Sequence, residues 1–413
     1  SEGLAALFWG VVTFSILIVI HEGGHFLAAR AFGIKVHEFM IGLPGPALRL
    51  KGKKTTYGIT MVPLGGYVRI AGMEPGAEDP ALGPALAALT RRGRATAFAI
   101  AEDTGVSEED ADRTLMTLVD WGAATLAEDD EYTFVSEHAF EAAEDPSLLD
   151  RARSITYRSL KLWQRVVLLS AGVFLNLMTA VLVFSIVVSI YGVYSTKISA
   201  VGKDSAAARA GLKVGDRITR VDGHRIGTWQ KLMDTVAGYD PGYALKVTFM
   251  RGEQEITVIA KLGKNPDTGH GMLGVSPSIE KPSPWRALIE SISYIGLTFG
   301  AILKFFDPRF AREAMKGAAS VIGASYMAAD AARTSALSYA SLVAMLSLSL
   351  GVINIFPVPP LDGGKVLLEF VEALRGRPLP RKVSLGLSAA GAILLFSLIA
   401  VLMYADVIRY IVK

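Results

Sequence analysis

The sequence predicts a polytopic α-helical membrane protein: four transmembrane helices, an α+β domain between the second and third, and an α/β module inserted between the first and second. Three observations carry this. Of 413 residues, 51% are hydrophobic and 20% charged, and the mean hydropathy is +0.38, too apolar for a soluble protein of two or three domains. Apolar runs at 4–29, 166–191, 336–355 and 383–412 are each long enough to cross a hydrocarbon layer about 30 Å thick. Charge also falls in blocks: residues 81–150 hold 16 acidic and 4 basic residues, while the rest of the chain holds 23 acidic and 38 basic. The absence of cysteine removes thiolate ligands, disulfides and a cysteine nucleophile, leaving His and carboxylates as available metal ligands.

Residues 1–76 hold the first span, which lacks a basic leader and a small-residue cleavage site and so reads as a retained helix. Near its end stands HEGGH. On a helix His21 and His25 are one turn apart and face the same way, so two imidazoles can grip a metal, with Glu22 beside them as a base for water. Three ionisable groups in so apolar a run are costly and point to function rather than to a chance pattern. From Arg30 to Arg69 there are seven basic residues and one acidic, so this loop is expected in the cytosol. Within it, 57–61 and 67–70 read as strands flanking the turn of Pro63, Leu64, Gly65 and Gly66. Two readings stand: a buried hairpin, or a membrane-associated one whose free edge around Gly65, Gly66 and Tyr67 pairs with an unwound substrate.

Residues 77–155 form the acidic module. Helices are expected at 82–90 and 96–104, with a Ser107-capped helix to Trp121, then short strands near Thr125 and at 132–135. Residues 156–194 supply the second span, entered through Arg151, Arg153, Arg158, Lys161 and Arg165. Gly172 and Asn176 share a face there; helix packing is the generic reading, and holding substrate backbone is the functional one.

Residues 195–282 alternate strand-like runs with the stretch DSAAARAGLKVGDRITRVDGHRI, in which His224 reads as an ordinary loop residue. Residues 283–335 are expected to lie along the membrane surface as an amphipathic helix, broken by Arg286, Glu290 and Lys304, followed by a connector from Arg309 to Arg333. Residues 336–413 contain the third and fourth spans. Between them come NIFPVPPLDGG and a second basic loop with Lys365, Arg375, Arg377, Arg381 and Lys382. Both HEGGH and Asp362 then fall at the cytosolic ends of spans one and three, at similar depth. His21, His25 and Asp362 can share one zinc and leave a fourth position open, as catalytic zinc requires. Taken alone, Asp362 could instead cap the following helix.

Several stretches resemble known families. DTGVSEEDADRTLMTLVDWGAA resembles a winged helix-turn-helix, although the helix that would read DNA begins with Ser107, Glu108, Glu109 and Asp110, which phosphate repels. The Asp204–Ile226 stretch resembles a PDZ domain of the bacterial protease type. HExxH in the first span, PLGGYVRI, LWQRVVLLSAGVFLN, one PDZ domain and NIFPVPPLDGG together resemble the bacterial site-2 protease family, of the regulator of sigma-E protease type. The resemblance implies a zinc intramembrane metalloprotease of the bacterial cytoplasmic membrane. It implies His21, His25 and Asp362 as Zn2+ ligands and Glu22 as base, with Asn176 and Asn354 as substrate-holding residues. Implied substrates are single-pass membrane proteins, either anti-sigma-factor-like proteins or remnant signal peptides, met within the lipid bilayer. Two features depart from the family pattern: Val173 stands where a proline is usual, and the acidic insert is extra.

The PDZ domain is expected outside the membrane, in a gating or recognition role, and the acidic insert in the cytosol, where it sits against the enzyme's own cytosolic face or receives a cytosolic regulator, and binds no nucleic acid. Two other functions fit parts of the pattern. A zinc transporter has no need for Glu22 or a peptide-binding domain, and a catalytically silent PDZ adaptor has no need for the zinc site.

Overall fold

The computed structural model describes residues 2–412 apart from 43, 62–64, 75, 128, 139, 267 and 305–318. The expected turn at Pro63 and Leu64, and the first part of the connector from Arg309, lie outside the described residues. The chain divides into two units, one of residues 1–183 with 293–413 and one of residues 184–292.

In the first unit α1 (Glu2–Ala31) is a single helix of thirty residues, about 45 Å long at 1.5 Å per residue. It leads into β1 (Val36–Ile41), β2 (Ala47–Lys51), β3 (Thr56–Thr60) and β4 (Gly66–Ile70), ordered β2-β3-β1-β4. The expected hairpin between residues 57–61 and 67–70 is therefore corrected: β1 lies between β3 and β4, parallel to the first and antiparallel to the second. A parallel pair needs a connection that reverses the chain twice, and β2 provides it by pairing antiparallel with β3.

The acidic module follows as α2 (Leu82–Arg92), β5 (Arg94–Thr96), α3 (Ala97–Thr104), α4 (Glu108–Trp121), β6 (Ala124–Leu126), β7 (Thr133–Ser136) and α5 (Leu148–Ser154). Ser107 caps α4 by accepting the Asp110 amide at 3.1 Å, and Gly105 and Gly122 end α3 and α4 at positive φ, as their sequence positions suggest. The strands pair β5-β7-β6. Leu82, Leu86, Leu89, Ile100, Leu115, Leu118, Trp121 and Phe134 give the module a core of its own. Its two ends meet at the root of the β1–β4 sheet, where Lys35 N donates to the Ile155 carbonyl at 2.8 Å and Tyr157 N to that of Ala71 at 2.8 Å.

α6 (Leu162–Tyr191) leaves that root and enters the second unit near its end. There β8 (Val193–Val201), α7 (Ala206–Arg209), β9 (Arg217–Val221), β10 (His224–Arg225), α8 (Trp229–Ala237), β11 (Ala244–Arg251), β12 (Gln254–Lys261), β13 (Gly263–Lys264), β14 (Gly271–Met272) and β15 (Val275–Glu280) follow. The main sheet is ordered β12-β11-β9-β8-β15 with α7 and α8 beside it, around Ile218, Val221, Leu232, Val247 and Phe249. Asp216 is buried and receives both Arg251 Nε and Nη2 at 2.8 Å. Burial alone would raise its carboxyl, but Arg251 and the Lys213 amide more than offset this and hold it below the ordinary value.

The chain then forms α9 (Pro284–Leu303), α10 (Val321–Thr334), α11 (Ala336–Ile355), α12 (Asp362–Arg375) and α13 (Arg381–Val407). Among the described residues five helices, not four, are long and apolar enough to cross a membrane, the additional one being α9. Arg286 and Glu290 lie in its first two turns and Lys304 just past its last residue, so the charges stand at its two ends. Within the first unit, Phe299 of α9 stacks on Phe356 with ring centroids 5.8 Å apart.

Helix directions follow from side-chain meetings. Trp9 packs on Tyr339 at 4.9 Å and Thr13 bonds its hydroxyl at 2.9 Å, while His21 and His25 meet Asp362 just beyond the end of α11, so α1 and α11 run parallel. α6 runs against both, because Leu168 faces His25 and Asn176 faces His21. Near the far end of α13, buried Asp406 accepts the Ser320 and Gly323 amides at 2.7 and 3.2 Å and so caps α10.

Candidate active site

The two histidines of HEGGH fall one turn apart on α1 with ring centroids 5.0 Å apart, and their Nε2 atoms converge on one oxygen. His21 Nε2 is 3.1 Å and His25 Nε2 3.2 Å from Asp362 Oδ2. All three donor atoms lie within 4.8 Å of one another in a mostly buried pocket. Ligands held about 2.0–2.1 Å from a common centre at tetrahedral angles stand roughly 3.3 Å apart, so this His, His, carboxylate set is close to what zinc takes. The second carboxylate oxygen, Asp362 Oδ1, accepts from Lys365 Nζ at 3.2 Å, one turn along α12.

Each donor is aimed by a neighbouring element. His25 Nδ1 meets the Leu168 carbonyl at 2.9 Å; a carbonyl only accepts, so the proton sits on Nδ1 and the Nε2 lone pair is free to ligate. His21 Nδ1 meets Asn176 Nδ2 at 3.1 Å. Glycines let the helices come this close. A Cβ on Gly24 would lie 2.6 Å from the Ala171 carbonyl carbon, and one on Gly172 would lie 2.8 Å from the His21 carbonyl oxygen and against the His25 ring. The LDGG glycines do the same for Asp362. A Cβ on Gly363 would sit 2.7 Å from the Phe356 carbonyl oxygen, and one on Gly364 2.7 Å from Pro359 Cα, so α12 can start directly against the end of α11.

Glu22 is half-buried beside His21, and the β1–β4 sheet reaches it through Gly66. A Cβ there would meet Ile18, the Met40 carbonyl at 2.9 Å and Glu22 Cγ at 3.5 Å. β4 pairs only with β1 among the described residues, which leaves its other edge available next to Glu22. Gly65 is exposed at φ +93 and its carbonyl accepts from Gly42 N at 2.6 Å, while the Tyr67 hydroxyl donates to Glu38 at 3.2 Å. The two asparagines expected to hold substrate are both buried. Asn176 turns to His21 and Ser347, and Asn354 Nδ2 donates to the Leu350 carbonyl of its own helix at 2.9 Å. Sequence reasoning missed the Leu168 carbonyl, Ser347 and Lys365. A backbone oxygen carries no sequence signal, and one serine among several in an apolar span carries little.

Outside the apolar helices, two polar clusters brace the same unit. The Tyr157 hydroxyl donates to Glu369 at 2.8 Å and Arg165 Nη1 reaches the same carboxylate at 3.2 Å, tying the start of α6 to α12. Burial, then the neighbouring Glu369 charge, pushes the Tyr157 phenol far up. At the insert, Asp120 accepts the Gly72 amide at 2.7 Å, its carbonyl meets His37 Nε2, and its carboxylate lies 3.6 Å from Arg69. Burial pulls the His37 imidazole below its ordinary value, only partly countered by Asp120.

Sequence comparison meets this geometry from another side. The pattern described as Peptidase family M50 matches residues 9–398. A putative zinc metalloprotease of Streptococcus pyogenes serotype M3 is 29% identical over 97% of this chain and 98% of its own length. Zinc metalloprotease RasP of Bacillus licheniformis is 28% identical over 97% and 98%, and the probable protease eep of Enterococcus faecalis 27% over 89% and 90%. Among solved structures, the PDZ domain of an SdrC-like protein from Listeria monocytogenes is 27% identical, covering 21% of this chain and 86% of that one with a TM-score of 0.19.

Proposed function

The chain belongs to peptidase family M50 and is thus a membrane-embedded peptide-bond hydrolase, and on that premise we propose that it is a zinc-dependent intramembrane endopeptidase acting on transmembrane segments of membrane-anchored proteins. The observation that carries this is the convergence of three donor atoms, two from α1 and one from the start of α12, beside Glu22 and an open strand edge. His21, His25 and Asp362 would hold the metal, which supplies Lewis acidity towards the scissile carbonyl and the attacking water. Glu22 takes the proton of that water and hands it to the leaving amine. An unwound substrate needs partners for its backbone in an apolar site, and the β4 edge at Gly65, Gly66 and Tyr67 offers them by strand addition, with Asn354 as the substrate-holding residue that the family resemblance adds. Substrates of this shape include anti-sigma-factor-like proteins and remnant signal peptides, cut in regulated intramembrane proteolysis. A transporter or a silent adaptor explains neither Glu22 nor the strand edge beside it.

The same reading extends to the soluble parts. We read residues 195–282 as a PDZ domain, on strand order and the Asp204–Ile226 motif, and 77–155 as a winged-helix-like module. Basic loops on either side of the site support a cytosolic insert and an extracytoplasmic PDZ domain. Because α1 and α11 run parallel and α6 runs back, the chain between α6 and α11 starts and ends on one side. A crossing by α9 would need a second crossing before α11, so the four-span reading goes with α9 lying along the membrane surface.

Glu22→Gln tests the mechanism: purified protein should keep zinc and lose cleavage of a membrane-embedded substrate by at least about 10³-fold. Cleavage near the wild-type rate would overturn it. Cysteine placed at Asp240 should react with an impermeant thiol reagent in intact cells and cysteine at Asp129 should not.

A further inference from the structure

Three positions of α6 spaced one turn apart, Leu168, Gly172 and Asn176, face His25 and His21 in reverse order along α1. The first presents a carbonyl to His25 Nδ1, the second presents no side chain, and the third presents an amide to His21 Nδ1. Asn176 and Ser347 are both 0% exposed, and Ser347 Oγ on α11 lies 3.3 Å from Asn176 Oδ1 and 3.1 Å from the Asn176 carbonyl oxygen. A side chain enclosed in this way faces no open space into which a substrate backbone could enter.

The chemistry of the pair is directional. With the amide nitrogen towards His21, Nδ1 must accept, which puts the His21 proton on Nε2, where it is donated to Asp362. For Nε2 to ligate a metal, the proton must move to Nδ1 and needs an acceptor. A half-turn of the Asn176 amide supplies Oδ1 without moving other atoms, because the two ends are the same size. Ser347 suits both states, since a hydroxyl can donate to Oδ1 in one and accept from Nδ2 in the other.

We propose that Asn176 is a positioning residue for His21: its amide oxygen holds the Nδ1 proton in the metal-loaded enzyme while Ser347 holds the amide, and it makes no contact with substrate. This rests on His21 being a zinc ligand through Nε2. Metal-bound histidines lean on such partners, whose loss weakens metal binding about 10–100-fold.

The test is zinc affinity by chelator competition on the purified full-length protein in detergent, with KM and kcat measured alongside. Asn176→Leu should weaken zinc about 10–100-fold. Asn176→Asp, which can only accept, should stay near wild type, and the pH below which zinc is released should shift with Leu and not with Asp. If the buried carboxylate prevents folding, Ser347→Ala decides: a several-fold loss of zinc affinity supports the proposal, and no change overturns it. Wild-type zinc affinity in Asn176→Leu with a raised KM would make Asn176 a substrate contact. Loss in Leu that Asp does not restore would make it packing alone. His21→Ala is the separate control: retained zinc there would overturn the ligand set itself.

Discussion

The floor of the active site and the acidic insert are both built from carboxylates facing basic groups, yet the groups do opposite jobs. In the insert, Arg92–Asp103, Arg94–Asp129 and Arg113–Asp110 pair at 2.7–2.8 Å on the surface, around a core built mainly of apolar side chains. At the site, His21, His25 and Asp362 are sunk between helices, and each has a second partner that fixes its direction. Charge in water costs little and mainly keeps a module soluble; charge at membrane depth costs several kcal/mol and persists where it has a task. The difference predicts that substitutions of like size should have very unlike consequences in the two regions.

The largest effect is expected where no charge changes at all. Gly172→Ala puts a methyl group 2.8 Å from the His21 carbonyl oxygen and against the His25 and His21 rings, so it can be accommodated only by shifting the α1 backbone or the two imidazoles themselves. Zinc affinity should fall about 100-fold, with cleavage lost alongside. Gly83→Ala in the insert is the matched control, since its nearest neighbour would be Leu149 Cδ2 at 3.6 Å, an ordinary contact. Zinc content by mass spectrometry and cleavage of a reporter substrate separate the two. Equal effects would mean that close helix approach is not what sets the site.

An intermediate effect belongs to Asp120, an insert carboxylate that behaves like a site residue. It is 7% exposed and accepts the Gly72 amide just beyond β4. Asp120→Ala should leave that donor without its partner and cost about 1–3 kcal/mol. The loss should appear as faster proteolysis of the insert root, with zinc content unchanged. The same contact should weaken as pH falls. His37 is held below its ordinary value when docked, so the undocked state takes up the proton first, and docking is lost as pH drops from about 6.5 towards the depressed value. Proteolysis that does not change with pH would remove His37 from the contact.

This contrast also explains what was legible in the sequence. HEGGH and LDGG stood out because ionisable groups in apolar runs are rare, and the structure brings them together from opposite ends of the chain. The insert's helices were readable from local signals, Ser107 at one end of α4 and Gly122 at the other. The β1–β4 sheet was misread as a hairpin because β1, VHEFMI, lacks a clean alternation, while β2 exposes both of its leucines, Leu48 at 84% and Leu50 at 77%. Its order depends on a parallel pairing that no local turn announces. The three charges from which α9 is read as a surface helix lie at its two ends, Arg286 and Glu290 in the first turns and Lys304 just past Leu303. Nothing in the local sequence could reveal that Asn176 would be enclosed by α1 and α11, because that depends on which faces three separate helices bring together.

The smallest expected effect is none, and it concerns nucleic acid. A module with helices α2 to α4 and a three-stranded sheet invites a search for DNA binding, and Arg91, Arg92 and Arg94 form its basic cluster. Two of those three are already engaged: Arg92 holds Asp103 through two nitrogens at 2.7 and 2.9 Å, and Arg94 holds both Asp129 oxygens at 2.8 and 2.9 Å. The helix that would enter the groove, α4, leads with Glu108, Glu109 and Asp110, and its Arg113 is paired with Asp110 at 2.7 Å. Binding would have to break these pairs and bring residues 77–155, with 18 acidic and 6 basic residues, against phosphate, where affinity comes mainly from counterions released by free cations. Because the module has its own apolar core, fragment 77–155 can be tested alone, and it should show no salt-sensitive duplex binding up to about 100 μM, the weak end of ordinary non-specific binding. Micromolar binding that weakens with salt would show the ion pairs to be a closed form of a nucleic-acid site and erase the contrast between the two regions.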